Sequence, residues 1–499
     1  MLILICIAII LLLTISYYQF EIECKRNSSN LFKITSIVLS VIALIGSMYI
    51  YTRKKINEEK LFLYVVPLMT ITMMIFMPVG RAYDELRHFT RSYEIANGGF
   101  LSQVIDGEVQ SELPVAISKL YNDVGWKEIT YNDIKDNITK KVNKEDMIKT
   151  EMKNTAIYSP VQYFPQAAGI FIANLVTDNV FILAYSARVF NMLLSLLLVY
   201  LAIRIIPFGK KIILILSMLP IVLEGFSSMS PDALTISIST LFVAYILKII
   251  YNKEECKLGL KEKTIMLIMS LVIALCKIVY LPIVGMILLI PKERYKSNKE
   301  KILYIIFVLG LAIILSLTWL VIANNYLAVS SGGESGEKII NIIKNPLHFI
   351  KQFVYTVNYN RQKYMFTLFG SKLTWSENAK TYFIVPFIYF LLFLHESIAS
   401  KENKEKFTKF QYIIMGVEVI AVIGLIFTSL YIQWTSATAN VIEGVQGRYF
   451  VPIMLITSMI LSLINIESNY SAQSRIKLIG IVGLIFQIYV TLSVIIVHL

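Results

Sequence analysis

The chain has 499 residues, of which 56% are hydrophobic and only 16% are charged, with a mean hydropathy of +0.65. Soluble domains average about 25% charged residues, so the composition excludes a soluble enzyme, a nucleic-acid-binding protein or a disulfide scaffold and indicates an all-α polytopic membrane protein. The net charge of +13 needs no nucleic-acid partner, because Lys and Arg concentrate in the cytoplasmic loops of membrane proteins.

Eleven apolar runs are long enough, or nearly so, to cross a bilayer as helices. The first, residues 2–20, lacks a basic leader and a cleavage site, so we interpret it as a retained span rather than a secretion signal. The others are residues 31–51, 61–79, 181–203, 212–227, 232–251, 301–325, 381–398, 411–432, 448–466 and 476–498.

The basic residues of the short loops predict the topology. The positive-inside rule places the loops around residues 53–55, 204–211, 253–263, 292–296 and 401–409 in the cytoplasm. The loop at 433–446 has no Lys or Arg and is expected outside. This threading puts the N-terminus inside and the C-terminus outside.

Two segments must depart from simple spans for the basic loops to stay on one side. Tyr158 to Leu175, rich in Pro and amide side chains, is predicted to be re-entrant, and residues 263–290 are predicted to form two short halves that meet at Lys277. The expected architecture is a bundle of about 13 transmembrane helices with a re-entrant segment.

Two outer segments, residues 80–157 and 326–380, are long. The first carries helix signals at Ser111–Pro114 and around Lys144 to Met152, and the second begins with a Ser- and Gly-rich run, residues 330–336, that predicts a flexible loop. We divide the chain into two N-terminal helices (1–60), a transmembrane core with both outer segments (61–466) and a C-terminal helix (467–499).

The first candidate site follows the third apolar run. If Asp84 starts a helix, then Asp84, His88 and Arg91 share one face, opposite an apolar face, which predicts an amphipathic helix on the outer membrane surface. A carboxylate beside such donors is the combination that a general base near an anionic leaving group requires. Alternatively, Asp84 only caps the helix and Glu85 only favours its dipole.

Several further positions carry polar or charged side chains that membrane-embedded segments usually lack. Asp232 follows Ser230-Pro231, which also suits an ordinary helix start, but it could bind a metal or a sugar hydroxyl. Lys277 lies at membrane depth, where a charge usually faces a cavity or a partner, and Arg188 with Asn191 favours the same interpretation more weakly. Arg448 either snorkels to lipid headgroups or binds a phosphate through its planar guanidinium.

Together these motifs resemble a bacterial family of uncharacterised polytopic proteins that looks like a branch of the GT-C membrane glycosyltransferases. The resemblance covers about residues 60 to 465. Its motifs, in chain order, are Asp84-Glu85 with His88, Tyr158-Ser159-Pro160 with Tyr163, Arg188 with Asn191, Ser230-Pro231-Asp232, Lys277 with Tyr280, and Gln446-Gly447-Arg448-Tyr449.

The resemblance implies a GT-C-like enzyme that moves a sugar, usually with inversion, from a polyprenyl-phosphate-linked donor to a cell-envelope glycan or glycolipid on the outer face. Asp84, with Glu85 beside it, would be the catalytic acidic residue. Arg448, Lys277 and Arg188 would bind the donor phosphate. The remaining residues expected to line the substrate cavity are His88, Arg91, Tyr158, Tyr163, Asp232, Tyr280, Gln446 and Tyr449.

The resemblance requires no cofactor, although Asp84 and Asp232 permit a divalent cation, Mg²⁺ or Mn²⁺. The expected partners are the donor, the acceptor and the bilayer of the bacterial cytoplasmic membrane, with the site facing outside and no nucleic acid. Two alternatives stay open: a transporter or flippase of lipid-linked sugars, and a non-catalytic protein of envelope assembly. The first would be favoured by an internal repeat, which we do not see, and the second would make Asp84 dispensable.

Overall fold

A computed structural model describes residues 2–24, 29–124, 130–135, 138–251, 257–331, 334–373, 381, 383–399, 407–436 and 438–499. About 75% of the structure is helical, as the composition predicts. A single small sheet occurs among the described residues.

The last helix, not the first, occupies the middle of the N-terminal layer. α19 (Ala472–His498) packs against α1 (Leu2–Cys24), α2 (Asn30–Thr52) and α3 (Glu58–Phe76). Its most apolar window is 94% buried, whereas that of α1 is 33% buried. Gly480 allows the close approach, because a Cβ there would lie 2.8 Å from Leu61.

The described residues between 80 and 157 fold into a small mixed unit at the end of α3. We call this end of the bundle the Asp84 end. Asp106 and Gly107 have positive φ angles of 54° and 78°, as a tight two-residue hairpin requires. The elements are α4 (Glu85–Ala96), β1 (Gln103–Ile105), β2 (Glu108–Pro114), α5 (Val115–Val124), α6 (Tyr131–Lys135) and β3 (Met147–Glu151), with the strands antiparallel in the order β1-β2-β3.

Two expectations for this unit are corrected by the structure. The stretch from Lys144 to Met152 does not form a helix, because it pairs as β3 with β2 and this pairing outweighs its local propensity. α4 is not a surface helix, since its residues from Leu86 to Ile95 are buried apart from the half-buried Arg87, and it packs against α7 (Phe164–Asn174) and α8 (Val180–Ile205). The signal before Val115, in contrast, does mark a helix start, that of α5.

The next helices are short or interrupted. A 3-10 helix (Pro160–Tyr163) leads into α7 (Phe164–Asn174), which lies so close to α8 (Val180–Ile205) that a Cβ on Gly169 would be 2.4 Å from the Ser186 carbonyl oxygen. α9 (Lys210–Ser217) and α10 (Pro220–Phe226) then replace one predicted span, and α11 (Asp232–Tyr251) follows.

The predicted break at Lys277 is present. α12 (Leu260–Cys276) ends just before Lys277, which has an extended backbone with φ of −147°, and a 3-10 helix (Ile278–Leu289) follows. After a short 3-10 turn (Lys292–Arg294), α13 (Asn298–Ser331) crosses to the Asp84 end, where the Tyr326 hydroxyl donates to the Ser102 carbonyl oxygen at 2.8 Å.

The elements that follow α13 begin at the Asp84 end and then run back along the bundle. Most of the run at 330–336, predicted as a flexible loop, is helical, because α13 extends to Ser331 and α14 begins at Glu334; residues 332 and 333 lie outside the described residues. The elements are α14 (Glu334–Lys344), α15 (Pro346–Leu368), α16 (Ile384–Ile398), α17 (Lys409–Gln433), a 3-10 helix (Gly447–Ile453) and α18 (Met454–Leu461).

Eight helices in the described part of the chain are long and apolar enough to cross a membrane, fewer than the about 13 crossings predicted. They are α1, α2, α3, α8, α11, α13, α17 and α19. The other apolar runs form shorter helices, such as α9 and α10, that do not meet this length criterion. Hydropathy therefore located the apolar segments, and the number of about 13 crossings stays a prediction.

Candidate functional site

Three charged side chains from distant parts of the chain meet at one point inside the bundle. Lys277 Nζ donates to Asp232 Oδ1 at 2.5 Å, and Arg448 Nε lies 3.4 Å from Asp232 Oδ2. We call Asp232, Lys277 and Arg448 the Asp232 cluster. Each side chain is 11–14% exposed, so the cluster is largely shielded but reachable.

Each member of the cluster lies at the start of a helix or at a break between two helices. Asp232 begins α11, and its N–H donates to Ser230 Oγ at 3.3 Å, so the Ser-Pro-Asp sequence forms a helix start and also supplies the central carboxylate. Lys277 occupies the break after α12. Arg448 follows Gly447, where a Cβ would lie 2.1 Å from the Leu368 backbone nitrogen, so only glycine permits this contact with α15.

Lys277 and Arg448 face the single carboxylate of Asp232, and the Asp84 carboxylate also acts electrostatically on Arg448. Arg448 Nε is buried and forms no hydrogen bond with any residue that the structure describes; its approach to Asp232 is an ion pair by distance only. A buried guanidinium donor without an acceptor is costly. The donor chemistry of these two cations therefore fits an anion such as a phosphate.

Tyrosine rings enclose the two cations. Lys277 Nζ lies 5.0 Å from the Tyr158 ring centre and 5.3 Å from that of Tyr449, and Arg448 Cζ lies 4.8 Å from that of Tyr83. Cations over aromatic faces are stabilised by the ring quadrupole. Tyr280 holds this wall in place, because its hydroxyl donates to the Tyr449 carbonyl oxygen at 3.0 Å. Tyr83 was missed as a site residue, although its place next to Asp84 was a usable signal.

Asp84 occupies the start of α4 in an unusual way. Its backbone is left-handed, with φ of 56° and ψ of 15°, and its side chain forms no capping hydrogen bond at the α4 N-terminus. The interpretation of Asp84 as a simple N-cap is therefore wrong. The half-buried carboxylate interacts electrostatically with Arg448 and His88, which places it beside the Asp232 cluster.

His88 is a buried, neutral neighbour of this carboxylate. Its Nδ1 lies 3.0 Å from the Tyr163 hydroxyl oxygen, and the tautomer decides which atom donates. Burial lowers the pKa of His88 from 6.5 to about 4, because the imidazolium would lose its hydration, while Asp84 acts in the opposite direction. The structure thus brings His88 and Tyr163 into contact with each other beside Asp84.

Glu85 and Arg188 form a separate, saturated pair. Arg188 Nε and Nη2 donate to Glu85 Oε1 and Oε2, both at 2.7 Å, and Arg188 also donates to the carbonyl oxygens of Met77 and Pro78. Glu85 accepts two further bonds from the backbone N–H groups of Gly80 and Met229. The pair is fully buried, so it fixes the α3–α4 turn to α8 and leaves Glu85 with no free lone pair for a substrate.

Two other predicted site residues, Arg91 and Gln446, stabilise the backbone near the site. Arg91 is buried and pairs with Glu94 and with the carbonyl oxygens of Gly99 and Phe100, which fixes the chain after α4. The backbone carbonyl oxygen of Gln446 accepts a hydrogen bond from the Tyr449 N–H at 3.1 Å, and this bond closes the turn around Arg448. Neither side chain is shown in contact with the Asp232 cluster.

An apolar crevice of about 110 Å³ leads to the cluster between α12, α13 and α17. Lys277, Tyr158 and Tyr449 form its polar end. Trp319 stands in its wall, and its Nε1 donates to the Ile157 carbonyl oxygen at 2.9 Å. Aliphatic side chains line the rest, among them Ala274, Leu320, Ala323, Ile426 and Leu430. An apolar slot that ends at buried cations suits a molecule with an anionic head and an apolar chain.

The side chains at this site do not fit a divalent cation. Both carboxylate oxygens of Asp232 face cationic groups, Lys277 and Arg448, which repel a metal. Hard cations need several oxygen ligands, and no group of three or more His, Cys, Asp or Glu side chains in the described residues could hold a metal.

Residues 67–457 match the protein family described as "Predicted membrane protein (DUF2142)". The chain belongs to this DUF2142 family. The DUF2142 region contains Asp84 and the Asp232 cluster but not α1, α2 and α19, and its limits lie close to the predicted limits of about residues 60 and 465. The likeness to GT-C glycosyltransferases stays a prediction. No curated protein and no solved structure matches the chain significantly.

Proposed function

We propose that this DUF2142 protein is a membrane glycosyltransferase that moves a sugar from a polyprenyl-phosphate-linked donor to a cell-envelope glycan or glycolipid. The observation that carries the proposal is that Lys277 and Arg448 meet at Asp232, with Lys277 at the polar end of the apolar crevice and the buried Arg448 Nε without a hydrogen-bond acceptor among the described residues. A lipid phosphate supplies the missing acceptor and also fills the crevice with its chain. The sugar then lies between the phosphate and Asp84.

The donor phosphate binds between Lys277 and Arg448. Both cations face Asp232 before the donor arrives, so this carboxylate keeps them charged and oriented at membrane depth. Lys277 and Arg448 attract the phosphate, and they stabilise the negative charge that develops when the sugar leaves. The first units of the polyprenyl chain occupy the crevice past Trp319.

Asp84 is the general base in this proposal. It takes the proton of the acceptor hydroxyl, whose oxygen attacks the anomeric carbon while the bond from that carbon to the phosphate oxygen breaks, which inverts the configuration. The support is that the Asp84 side chain is not used as a helix cap and lies beside both Arg448 and His88. A positioned base contributes about 10²–10⁴-fold to the rate.

Glu85 and Arg188 are assigned a positioning role instead of the catalytic and phosphate-binding roles first expected. Glu85 also accepts a hydrogen bond from the Met229 N–H, and Met229 lies in the short segment just before Asp232. Asn191 acts on the same segment, since its Nδ2 donates to the Ser228 carbonyl oxygen at 2.7 Å. One buried network thus holds Asp84 and Asp232 in register.

The proposed orientation in the bacterial cytoplasmic membrane puts the N-terminus inside and the Asp84 end outside, following the basic short loops. The chain crosses about 13 times in this arrangement if the interrupted helices are counted with the long ones. α7 has 11 residues, too few to span, which supports a re-entrant path for Tyr158 to Leu175.

A transporter or flippase of lipid-linked sugars is the second candidate. It is favoured by the broken helix at Lys277, because transporters place substrates at such breaks. The two candidates differ at Asp84. A flippase needs Lys277 and Arg448 to bind the phosphate but needs no general base, whereas the transferase needs both cations and Asp84. No specific contact favours a non-catalytic role in envelope assembly.

Donor binding by the purified protein tests the ligand class. We expect native mass spectrometry to show bound decaprenyl phosphate but little bound decaprenol, since the phosphate makes charge-assisted bonds. Arg448→Ala and Lys277→Ala should each weaken phosphate binding by roughly 10-fold or more. The matched control is Lys210→Ala, a partly exposed lysine that pairs with Glu59 at the other end of the bundle. Unchanged affinity in both cluster variants would overturn the phosphate site.

A further inference from the structure

Helices α14 and α15 expose two apolar stripes at the Asp84 end. In α14 the stripe is formed by Ile339, Ile340 and Ile343, and Ile343 is 74% exposed. In α15 it is formed by Leu347 and Ile350, with Leu347 72% exposed, and it continues to Val354. Residues three or four positions apart lie on the same side of a helix, so each helix is amphipathic.

Cations border both stripes. Lys344, His348 and Lys351 directly follow Ile343, Leu347 and Ile350, and all three are exposed. Between residues 340 and 363 the chain has four Lys or Arg residues and no Asp or Glu. Apolar side chains flanked by Lys and Arg are typical of helices that lie in a membrane interface and attract anionic headgroups.

The positive-inside rule does not account for these cations. The basic short loops at 53–55 and 292–296 precede α3 and α13, so they lie at the opposite end of the bundle from α14. The cations of α14 and α15 lie at the Asp84 end, where the rule predicts few. A local anionic surface explains their presence there.

The helix that carries the first stripe also packs against two candidate membrane spans. α14 begins three residues after α13 ends and packs against both α13 and α17, two candidate membrane spans. Polar side chains hold the other side of the helices to the bundle: Lys338 Nζ donates to the Thr435 carbonyl oxygen at 2.6 Å, and Gln352 Nε2 donates to that of Ala439 at 3.0 Å. The apolar sides are left facing outward.

We propose that α14 and α15 form an interfacial hairpin that binds anionic phospholipids of the adjacent leaflet, with the apolar stripes among the acyl chains and Lys344 and Lys351 on the headgroups. The inference does not depend on the proposed transfer reaction. It also has a consequence for the site: α15 ends against Gly447, so a lipid-bound hairpin fixes the backbone next to Arg448.

Hydrogen–deuterium exchange of the full-length protein in nanodiscs tests the proposal. Lipid that binds the folded hairpin stabilises it against local unfolding, which exposes the amides to exchange. Exchange of the amides in residues 339–351 should therefore be slower in phosphatidylcholine mixed with phosphatidylglycerol than in phosphatidylcholine alone. Each surface cation contributes a few-fold, so we expect the slowing to be roughly tenfold or more.

The double variant K344E/K351E should abolish the difference between the two lipid compositions. The matched control, K54E/K55E, reverses two exposed lysines at the opposite end and should keep the difference. Equal exchange in both lipids, or a difference that survives in K344E/K351E, would overturn the proposal. Slowing caused by soluble polyglutamate in phosphatidylcholine nanodiscs would overturn it too, because it would assign the surface to a polyanion instead of a lipid.

Discussion

Lys277 Nζ lies 2.5 Å from Asp232 Oδ1, although 45 residues separate the two in sequence. The contact joins the break after α12 to the start of α11, and Arg448 approaches the other oxygen of the same carboxylate. Asp232 is thus the common counter-ion of two cations that the bundle buries. Removing it should be worse for the fold than removing either cation.

The first prediction orders three substitutions by their effect on stability. Asp232→Asn leaves two buried cations without their carboxylate, so it should lower the free energy of unfolding by about 3–5 kcal/mol. Lys277→Met should cost less, because Asp232 keeps Arg448. Lys210→Met, in a pair that is 28–29% exposed, should cost less than about 1 kcal/mol. Unfolding of the purified protein in SDS measures the order, and an Asp232→Asn variant as stable as Lys210→Met contradicts it.

The second prediction separates two neighbouring acidic residues. Glu85→Gln should destabilise the protein by about 3–5 kcal/mol, because it leaves the guanidinium of Arg188 buried without a carboxylate. Asp84→Asn should change stability by less than about 0.5 kcal/mol, since Asn tolerates the left-handed backbone and no cap bond is lost. Expression and detergent melting curves measure both, and a stable Glu85→Gln variant would contradict the positioning role.

The third prediction concerns acid. Burial lowers the pKa of His88 to about 4, whereas the unfolded chain keeps about 6.5, so the unfolded chain takes up a proton first as the pH falls. This group therefore leaves stability unchanged above about pH 6.5 and reduces it progressively down to about pH 4, by about 3 kcal/mol in all. Melting curves between pH 7.5 and 4.5 measure the loss. The His88→Asn variant should lose less over the same range, and an identical pH dependence in both proteins would contradict the buried neutral imidazole.

The fourth prediction concerns metal. Because both oxygens of Asp232 face cations, sugar transfer should persist after treatment with EDTA and should not rise on addition of Mg²⁺ or Mn²⁺. Transfer of a radiolabelled sugar, measured with and without chelator, decides the matter. Loss of transfer that Mg²⁺ restores would show that Asp84 or Asp232 binds a cation during the reaction.

Much of the membrane architecture was accessible from the sequence, because hydropathy and basic loops are local signals. Long apolar runs became helices, and the conflict between two basic flanks correctly indicated a break at Lys277. Hydropathy cannot tell one long helix from two short ones, as α9 and α10 show, so the number of crossings stays a prediction. The burial of α4 was also invisible, because it depends on contacts with α7 and α8.

The side chains of the site were identified more reliably than their partners. An intramembrane lysine or arginine is conspicuous, so Lys277, Arg448 and Arg188 could be named, and the first two do meet at Asp232. Which carboxylate each cation contacts depends on tertiary structure. That is why Arg188 was grouped with the phosphate ligands, although the structure pairs it with Glu85. Tyr83 and Trp319 were missed because single aromatic residues near membrane segments are common.

Sugar transfer by the Asp84→Asn variant tests the central claim most directly. The purified protein would be given a polyprenyl-phosphate-linked sugar and an acceptor extract, and the release of polyprenyl phosphate would be followed. The account predicts that Asp84→Asn lowers the rate by about 10²–10⁴-fold while donor affinity and the melting curve stay unchanged. Transfer at the rate of the unmodified protein would contradict the assignment of Asp84 as the base.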